Sequence, residues 1–157
     1  MNHIKMYRPI INRFDAKSFL PEKQIANGSM CLILNAGRLG PKEDNRPWHF
    51  FIRKGKDVNT ENAELEKIIQ SAPHIVSICR DAPEYSMTDQ DLMAIGACVE
   101  NMMIQAKSMD IDSLWFTDEY ILDDNGLKCI CHVLFGYSNE LPDMRNISKV
   151  SDITVWE

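Results

Sequence analysis

The chain has 157 residues, of which 45% are apolar and 25% charged, so it is long and apolar enough for one globular domain over residues 1–157 and is unlike a disordered chain. Its 17 Lys and Arg against 23 Asp and Glu give a net charge of −6, which argues against a nucleic-acid partner because phosphate binding needs clustered cations. No apolar run approaches the roughly 18 residues of a membrane span, and the first 14 residues lack the apolar segment of a secretory signal. We therefore expect a cytoplasmic protein with no membrane partner.

Hydrophobic periodicity divides the chain into eight predicted helices and strands. In chain order they are a short helix within residues 3–13 that Pro9 interrupts, a helix from Pro21 to about Leu39, a strand over Trp48–Arg53, a helix over Asn59–Gln70 capped by Asn59 or Thr60, a strand over His74–Cys79, a helix from about Asp89 to Ser108, and strands over Ser113–Phe116 and Cys129–Tyr137. The apolar segments 74–79 and 129–137 are predicted to be internal strands. This order predicts an α+β fold in which helices flank a sheet.

The predicted helix over residues 89–108 has the clearest signals. Thr88 is a suitable N-cap, and Asp91 follows three residues later, which is the spacing of a capping box. Apolar residues recur every three or four positions and predict an inward-facing stripe. They are Leu92, Ile95, Val99, Met102, Ala106 and Met109, widened by Ala97 and Met103. So broad a stripe is typical of a central helix or of a helix at a subunit interface.

The five cysteines all lie inside apolar runs, and no CxxC pair occurs. Cys129 and Cys131 are two residues apart on a predicted strand, so their side chains are expected on one face of the sheet. No pair of His or Cys residues completes the spacing of a zinc site, so no metal site is predicted. We therefore expect buried free thiols in a reducing cytoplasm.

The chain contains no nucleophile elbow, P-loop, GxGxxG or HExxH segment. His49 and His132 lie in predicted strands and are interpreted as partly buried, hydrogen-bonded residues. The acidic segments Asp118-Glu119 and Asp123-Asp124 are interpreted as a solvated loop, because the spacing of a calcium loop is absent. Composition and periodicity therefore indicate a fold class but no function.

Seven short segments, taken in chain order, form a pattern that can be compared with known protein families. They are Arg8–Phe14 (RPIINRF), Asn35–Leu39 (NAGRL), Asp44–Phe50 (DNRPWHF), Ala72–Val76 (APHIV), Ile95–Ala106, Ser113–Trp115 and Phe135–Ser138. Together they resemble the flavin-dependent nitroreductase family, nearly from end to end. The resemblance implies a mixed, mainly antiparallel sheet flanked by helices, in an intertwined homodimer with FMN at each of two interface sites.

The same resemblance implies a reaction. NADH or NADPH is the co-substrate, and a hydride passes through flavin N5 to a small-molecule electron acceptor such as a nitroaromatic or a quinone. Because the flavin carries this chemistry, no catalytic protein residue is expected. A second hypothesis is a relative that has lost turnover and acts as a flavin-binding or scaffold protein. Ile10 and Asn12 support this alternative, because they remove a hydroxyl group and a cation from the implied phosphate site.

For the phosphate of FMN, the resemblance implies a binding role for Arg8, whose guanidinium group suits a doubly charged anion. Ile10 stands in place of a serine, and Asn12 in place of a second cation. Near the end of the chain the resemblance implies another basic residue at the phosphate. Arg145 and Lys149 are the candidates for that role.

The resemblance also places residues near the ribityl chain and the flavin ring. Pro9, in the first segment, is one of these implied cofactor-binding residues. Asp44 stands in place of an asparagine, and its carboxylate suits hydrogen bonds donated by ribityl hydroxyls or by flavin N3–H. Arg46 replaces a glutamine and either carries positive charge near flavin N1 and O2 or forms a loop ion pair with Asp44. Phe116 and Thr117 follow a strand whose backbone approaches the N5 side of the ring.

Overall fold

The computed structural model describes residues 6–41, 48–81, 86–142 and 149–156. The helices are α1 (Arg8–Asn12), α2 (Asn27–Arg38), α3 (Ala63–Ser71) and α4 (Asp89–Lys107), and the strands are β1 (Trp48–Arg53), β2 (His74–Arg80), β3 (Asp112–Phe116) and β4 (Cys129–Gly136). Short 3₁₀ turns lie at Gly55–Asp57 and Val150–Asp152. The predicted order of helices and strands is therefore confirmed.

The four strands form one sheet in the order β1-β2-β4-β3, and each neighbouring pair is antiparallel. A single bridge between Asp15 and Ser113 adds a parallel contact beside β3. The strands β2 and β4 are internal, as their apolar sequences predict. All six residues of β4 from Cys131 to Gly136 are buried. The predicted α+β fold with a mainly antiparallel sheet is confirmed.

Each face of the sheet has its own core. Residues of β2 and β4 that point to one face, such as Val76 and Val133, pack with α2 and α4, while Ile75 and Leu134 point to the other face and pack with Ile69 of α3. This alternation follows from the two-residue period of a strand. Helices therefore cover both faces, and the described helices include none that is long and apolar enough to cross a bilayer.

The start of α2 differs from the prediction. The helix begins at Asn27 and not at Pro21. The preceding segment is held in another conformation, because the Leu20 backbone N–H donates to the Tyr137 carbonyl oxygen at 2.8 Å and the Lys23 N–H closes a turn onto Leu20 at 3.0 Å. Pro21, which suits the first turn of a helix, is therefore the second residue of a Leu20–Lys23 turn, and the Tyr137 carbonyl group just after β4 anchors that turn.

The start of α3 also lies later than predicted. Asn62 is the N-cap, and its side-chain oxygen accepts hydrogen bonds from the backbone N–H groups of Glu64 and Leu65, each at 3.1 Å. Thr60, one of the two predicted caps, instead donates its hydroxyl hydrogen to Asp118 at 2.5 Å. A tertiary contact therefore takes the residue that local sequence favours as a cap.

The predicted start of α4 is confirmed. The Thr88 hydroxyl accepts a hydrogen bond from the Asp91 N–H at 3.2 Å, and the Asp91 carboxylate accepts one from the Thr88 N–H at 2.8 Å, which completes the capping box. Most of the predicted stripe is buried, including Val99 and Met102. Leu92 is an exception, because 47% of its surface is exposed.

Candidate functional site

The first predicted site segment is α1, a five-residue helix with Pro9 buried in its first turn. Arg13 follows the helix, and its guanidinium group lies 3.3 Å from Glu100 of α4 and 3.3 Å from Asp15, which holds α1 against α4. Arg8 and Asn12 are exposed, and Ile10 is 41% exposed. Because positions four apart lie on one side of a helix, Arg8 and Asn12 share a face of α1.

A groove of about 280 Å³ lies beside the start of α1, between α2 and α4. It is lined by Tyr7, Ala36, Leu39, Asn101, Ile104, Gln105 and Ser108. The side chains of Asn101 and Gln105 give this groove polar groups, and Leu39 and Ile104 give it apolar surface. A groove with both kinds of lining suits a planar ligand that has a polar edge.

The second predicted segment lies at the end of β3, and neither Phe116 nor Thr117 lines this groove. The Phe116 ring is half-buried on the α3 side, where it stacks on the His132 ring with centroids 5.3 Å apart. Thr117 is exposed and lines a separate cleft of about 350 Å³ with Lys128 and Ile130. The Phe116 side chain is thus part of a core, and the backbone at 116–117 is the part left for a ligand.

Of the four remaining predicted residues, the structure describes one, Lys149 in the C-terminal segment. Lys149 is exposed, and its backbone N–H donates to the Asp152 carboxylate at 3.2 Å. Asp44, Arg46 and Arg145 lie outside the described residues. Among the residues that are described, no hydrogen bond or ion pair joins the α1 segment to Thr117 or Lys149. Of the described candidates, the structure therefore groups Arg8 to Asn12 on α1 and places Thr117 and Lys149 in other segments.

Sequence analysis missed a cluster on the α3 side of the sheet. Cys79 of β2 and Cys129 of β4 are joined by a disulfide, which corrects the prediction that every cysteine is a free thiol. His49 of β1 lies directly opposite Cys79 in the strand register. Potential ligand atoms of His49, Cys79 and Asp123 all lie within 4.8 Å of one another.

Two local predictions fail at this cluster for identifiable reasons. The register passes from Ile78–Cys131 to Cys79–Cys129, so Ile130 is the extra residue of a β-bulge and the two β4 cysteines point to opposite faces. Cys131 is a buried free thiol in the core beneath α4. Asp123 is buried and not solvated, because a turn that its own carboxylate stabilises folds it inward.

The other free thiols are Cys98, which is buried, and Cys31, which is exposed where a buried residue was predicted. Burial raises the pKa of the Cys131 thiol to about 11, so that sulfur is protonated near neutral pH. A protonated, enclosed thiol is a poor nucleophile and a poor ligand. Among the described cysteines, the exposed thiol of Cys31 and the reducible Cys79–Cys129 disulfide are therefore the sulfur groups best suited to react.

Solved structures share this architecture along their whole length. A protein from Desulfovibrio desulfuricans, assigned as a nitroreductase and solved in complex with FMN, has a TM-score of 0.79 at 18% identity, with 96% of this chain and 95% of that chain covered. A nitroreductase from Bacteroides fragilis with bound FMN has a TM-score of 0.71 at 21% identity, covering 96% and 97%. A nitroreductase-like family protein from Bacillus cereus has a TM-score of 0.74 at 16% identity, covering 98% of each chain.

No protein-family model and no curated protein sequence matches the chain. The likeness is therefore one of three-dimensional structure, at sequence identities that establish a common fold. The resemblance predicted from the sequence is confirmed at that level, and the chain has the fold of nitroreductase family proteins.

Proposed function

We propose that this protein is an FMN-dependent oxidoreductase that takes a hydride from NADH or NADPH and passes it to a small-molecule acceptor such as a nitroaromatic or a quinone. The observation that carries the proposal is the position of Arg8. Arg8 is exposed at the start of α1 and directly follows Tyr7, which lines the groove, in a fold shared with FMN-bound proteins. An exposed arginine next to an open groove is well suited to hold a phosphate group.

The residues around the groove fit this cofactor in charge and in polarity. Arg8 forms no hydrogen bond or ion pair with any described residue, so its five N–H donors are available to a phosphate group. Asn12, on the same face of α1, offers a further donor. Asn101 already donates to the Ala36 carbonyl oxygen at 3.4 Å, and its carbonyl oxygen is left to accept a hydrogen bond.

In this proposal the cofactor and the protein residues have separate roles. When bound, FMN supplies the hydride chemistry between the nicotinamide and the acceptor. Arg8 neutralises the phosphate group, and the apolar groove wall at Leu39 and Ile104 excludes water from a planar ring. We assign Asp44, Arg46, Thr117, Arg145 and Lys149 to the same ligand as part of this proposal.

We further propose that the active form is a homodimer. The groove of about 280 Å³ is slightly smaller than the roughly 300–1,000 Å³ of typical ligand sites, as is expected if one chain forms only part of the site. Large apolar side chains are exposed along the chain, two of which line the groove, and such side chains need a covering surface. They include Met6, Tyr7, Ile11, Leu32, Leu39 and Met93, which are 54–72% exposed, and Trp156, which is 90% exposed.

The direct test is a titration of the purified protein with FMN, in which binding quenches flavin fluorescence. We expect saturable binding with one FMN per chain and an absorbance that NADH or NADPH bleaches. Arg8→Ala should weaken binding roughly 10- to 100-fold, because it removes a charge-assisted interaction of about 1.5–3 kcal/mol. Lys67→Ala is the matched control, since it removes an exposed cation from α3 on the opposite side of the sheet.

Each outcome of this titration has a defined meaning. No FMN binding by the wild-type chain would refute the proposal, and equal affinities for the Arg8→Ala and Lys67→Ala variants would place the phosphate elsewhere. Tight FMN binding without bleaching by either nicotinamide would favour the second hypothesis, a flavin-binding protein without turnover. That alternative has a structural basis, because Ile10 is 41% exposed where the resemblance implies a hydroxyl donor.

A further inference from the structure

Four side chains on the α3 side of the sheet form a cluster that the proposed flavin chemistry does not use: His49, Cys79, Asp123 and Cys129. Ligand atoms of the first three lie within 4.8 Å of one another, and Cys129 is bonded to Cys79. We propose that, once the disulfide is reduced, these four residues bind one zinc ion as a closed structural site that joins three strands and the turn before β4.

The strand register brings three of the four ligands together. His49 of β1 is opposite Cys79 of β2, and Cys79 is opposite Cys129 of β4. Directly opposite residues of an antiparallel pair project from the same face, with Cβ atoms about 4.5–5.5 Å apart. One imidazole and two sulfur atoms thus form a row across the sheet, and this is a ligand set that zinc prefers.

The fourth side chain, Asp123, has one oxygen in use and one free. Its Oδ1 atom accepts hydrogen bonds from the backbone N–H groups of Asn125 at 2.9 Å and Leu127 at 2.8 Å, which closes the turn. Within the described part of the chain, Oδ2 has no hydrogen-bond partner, although the side chain is 0% exposed. A buried carboxylate oxygen without a donor is costly, and a metal ion beside it would remove that cost.

The nearby cations do not supply that partner. His49 Nε2 is 3.9 Å from Asp123 Oδ2, which is too far for a hydrogen bond. Arg53 lies near enough for the Asp123 charge to oppose the lowering of its pKa by burial, yet its own Nε and Nη2 atoms are buried without hydrogen-bond partners among the described residues. The Oδ2 atom therefore lacks a hydrogen-bond donor among the described residues, while a carboxylate oxygen of Asp123 lies within 4.8 Å of potential ligand atoms of His49 and Cys79.

The distances suit a zinc site after small movements. Ligand atoms about 2.0–2.3 Å from a tetrahedral zinc ion are roughly 3.3–3.8 Å apart. The separations of 3.9 Å and at most 4.8 Å need contractions of about 0.5–1.5 Å, and the two sulfur atoms must move apart from a bond of about 2 Å once it is reduced. His49 is 38% exposed, which gives an ion access to the cluster.

The change of state is a two-electron reduction followed by metal binding. A water-soluble phosphine breaks the S–S bond and becomes a phosphine oxide with an oxygen atom from water, while two protons from water complete the Cys79 and Cys129 thiols. Zinc then displaces both thiol protons and binds the thiolates. A cellular dithiol supplies the same two electrons and leaves as its own disulfide.

The test uses the full chain, reduced with a phosphine under anaerobic conditions and titrated with zinc chloride against a coloured zinc chelator. We expect one zinc ion per reduced chain, a higher Tm with zinc, and far weaker binding by the oxidised chain. Asp123→Asn and Cys129→Ser should each weaken binding roughly 100-fold, which is one ligand's share of a structural zinc site. Asp124→Asn and Cys31→Ser are the matched controls, because both residues are exposed.

The proposal is overturned if the reduced chain takes up no zinc, if the oxidised chain binds it equally well, or if Asp123→Asn behaves like Asp124→Asn. A second measurement on the wild-type chain covers the case in which a variant does not fold. Zinc should slow alkylation of Cys79 and Cys129 but not of Cys31, as followed by mass spectrometry of peptides. Equal alkylation rates with and without zinc would contradict the site, whatever the result of the FMN titration.

Discussion

His132 is an ionisable residue held inside the sheet in its neutral form. Its Nε2 atom lies 3.2 Å from the Asp118 carbonyl oxygen, and its Nδ1 atom lies 2.8 Å from the Ser77 hydroxyl. A carbonyl oxygen only accepts, so Nε2 carries the hydrogen and Nδ1 accepts the hydroxyl hydrogen of Ser77. Burial lowers the pKa of His132 to about 4, although the Asp118 carbonyl opposes that shift.

This shift predicts a loss of stability in mild acid. The unfolded chain takes up a proton on the histidine near pH 6.5, while the folded chain does so only near pH 4, so the free energy of unfolding falls as the pH drops through that window. The full cost is about 3 kcal/mol. Urea unfolding at pH 7.5 and pH 4.5 measures most of this cost, about 2–3 kcal/mol, and His132→Gln should show a smaller loss between the two pH values. An equal loss in the variant would mean that other groups cause it.

His132 is hydrogen-bonded as predicted, but it is fully buried where a partly buried residue is predicted, and the interpretation of Asp123 is wrong. An apolar strand sequence indicates that a histidine is at least partly enclosed, and the surrounding fold decides how far, since His49 of the apolar strand β1 is 38% exposed. The burial of Asp123 depends on which strands the following turn covers, and its neighbour Asp124 is exposed. Likewise, the bulge at Ile130 arises from pairing with β2, so the sequence of β4 alone does not predict it.

At the scale of the elements, the 3₁₀ turn at Gly55–Asp57 packs closely against the end of α3. A Cβ atom on Gly55 would overlap the carbonyl oxygens of Ile69 and Ala72, while a Cβ atom on Gly28 of α2 would meet nothing within 4 Å. The backbone oxygens cannot rotate away as a flexible side chain can. The turn therefore requires glycine at position 55 for its close approach to α3, whereas α2 does not require glycine at position 28.

Alanine at these two positions should have opposite effects. Gly55→Ala should lower the free energy of unfolding by about 1–3 kcal/mol, because the turn must separate from α3. Gly28→Ala should raise it by about 0.5–1 kcal/mol, because alanine loses less backbone entropy in a helix. Urea denaturation of both variants with circular dichroism measures the two changes. A neutral Gly55→Ala variant would contradict the close packing.

The residues at which the helices begin show when a local sequence signal is enough to predict a helix start. The capping box of Thr88 and Asp91 fixes the start of α4 within the segment itself, and that prediction is confirmed. The Leu20 N–H donates to the Tyr137 carbonyl oxygen and holds residues 20–23 in a turn before α2, and the Thr60 hydroxyl donates to Asp118. Both partners are far away in sequence, so the periodic pattern alone places these two starts too early.

At the scale of the whole molecule, the order of elements follows from sequence patterns, but the strand order does not. Hydrophobic periodicity and caps are local, and they predict eight elements in the correct order. The pairing of β2 with β4 joins strands that are separated by α4 and β3, and only the resemblance to a known family implies it. The same resemblance implies the second subunit, which remains a prediction.

The proposed homodimer can be tested on the outward side of α4. Met93 is 69% exposed there, and Met93→Glu should weaken a dimer that covers this side of α4, because it would bury a charge in an apolar contact. Tyr120→Glu is the control, since it places the same charge at a 52% exposed side chain in the loop between β3 and β4. Light scattering during gel filtration should give twice the chain mass for the wild type and the control, and a shift towards one chain mass for Met93→Glu. A wild-type chain that stays monomeric with FMN bound would show that one copy suffices for the site.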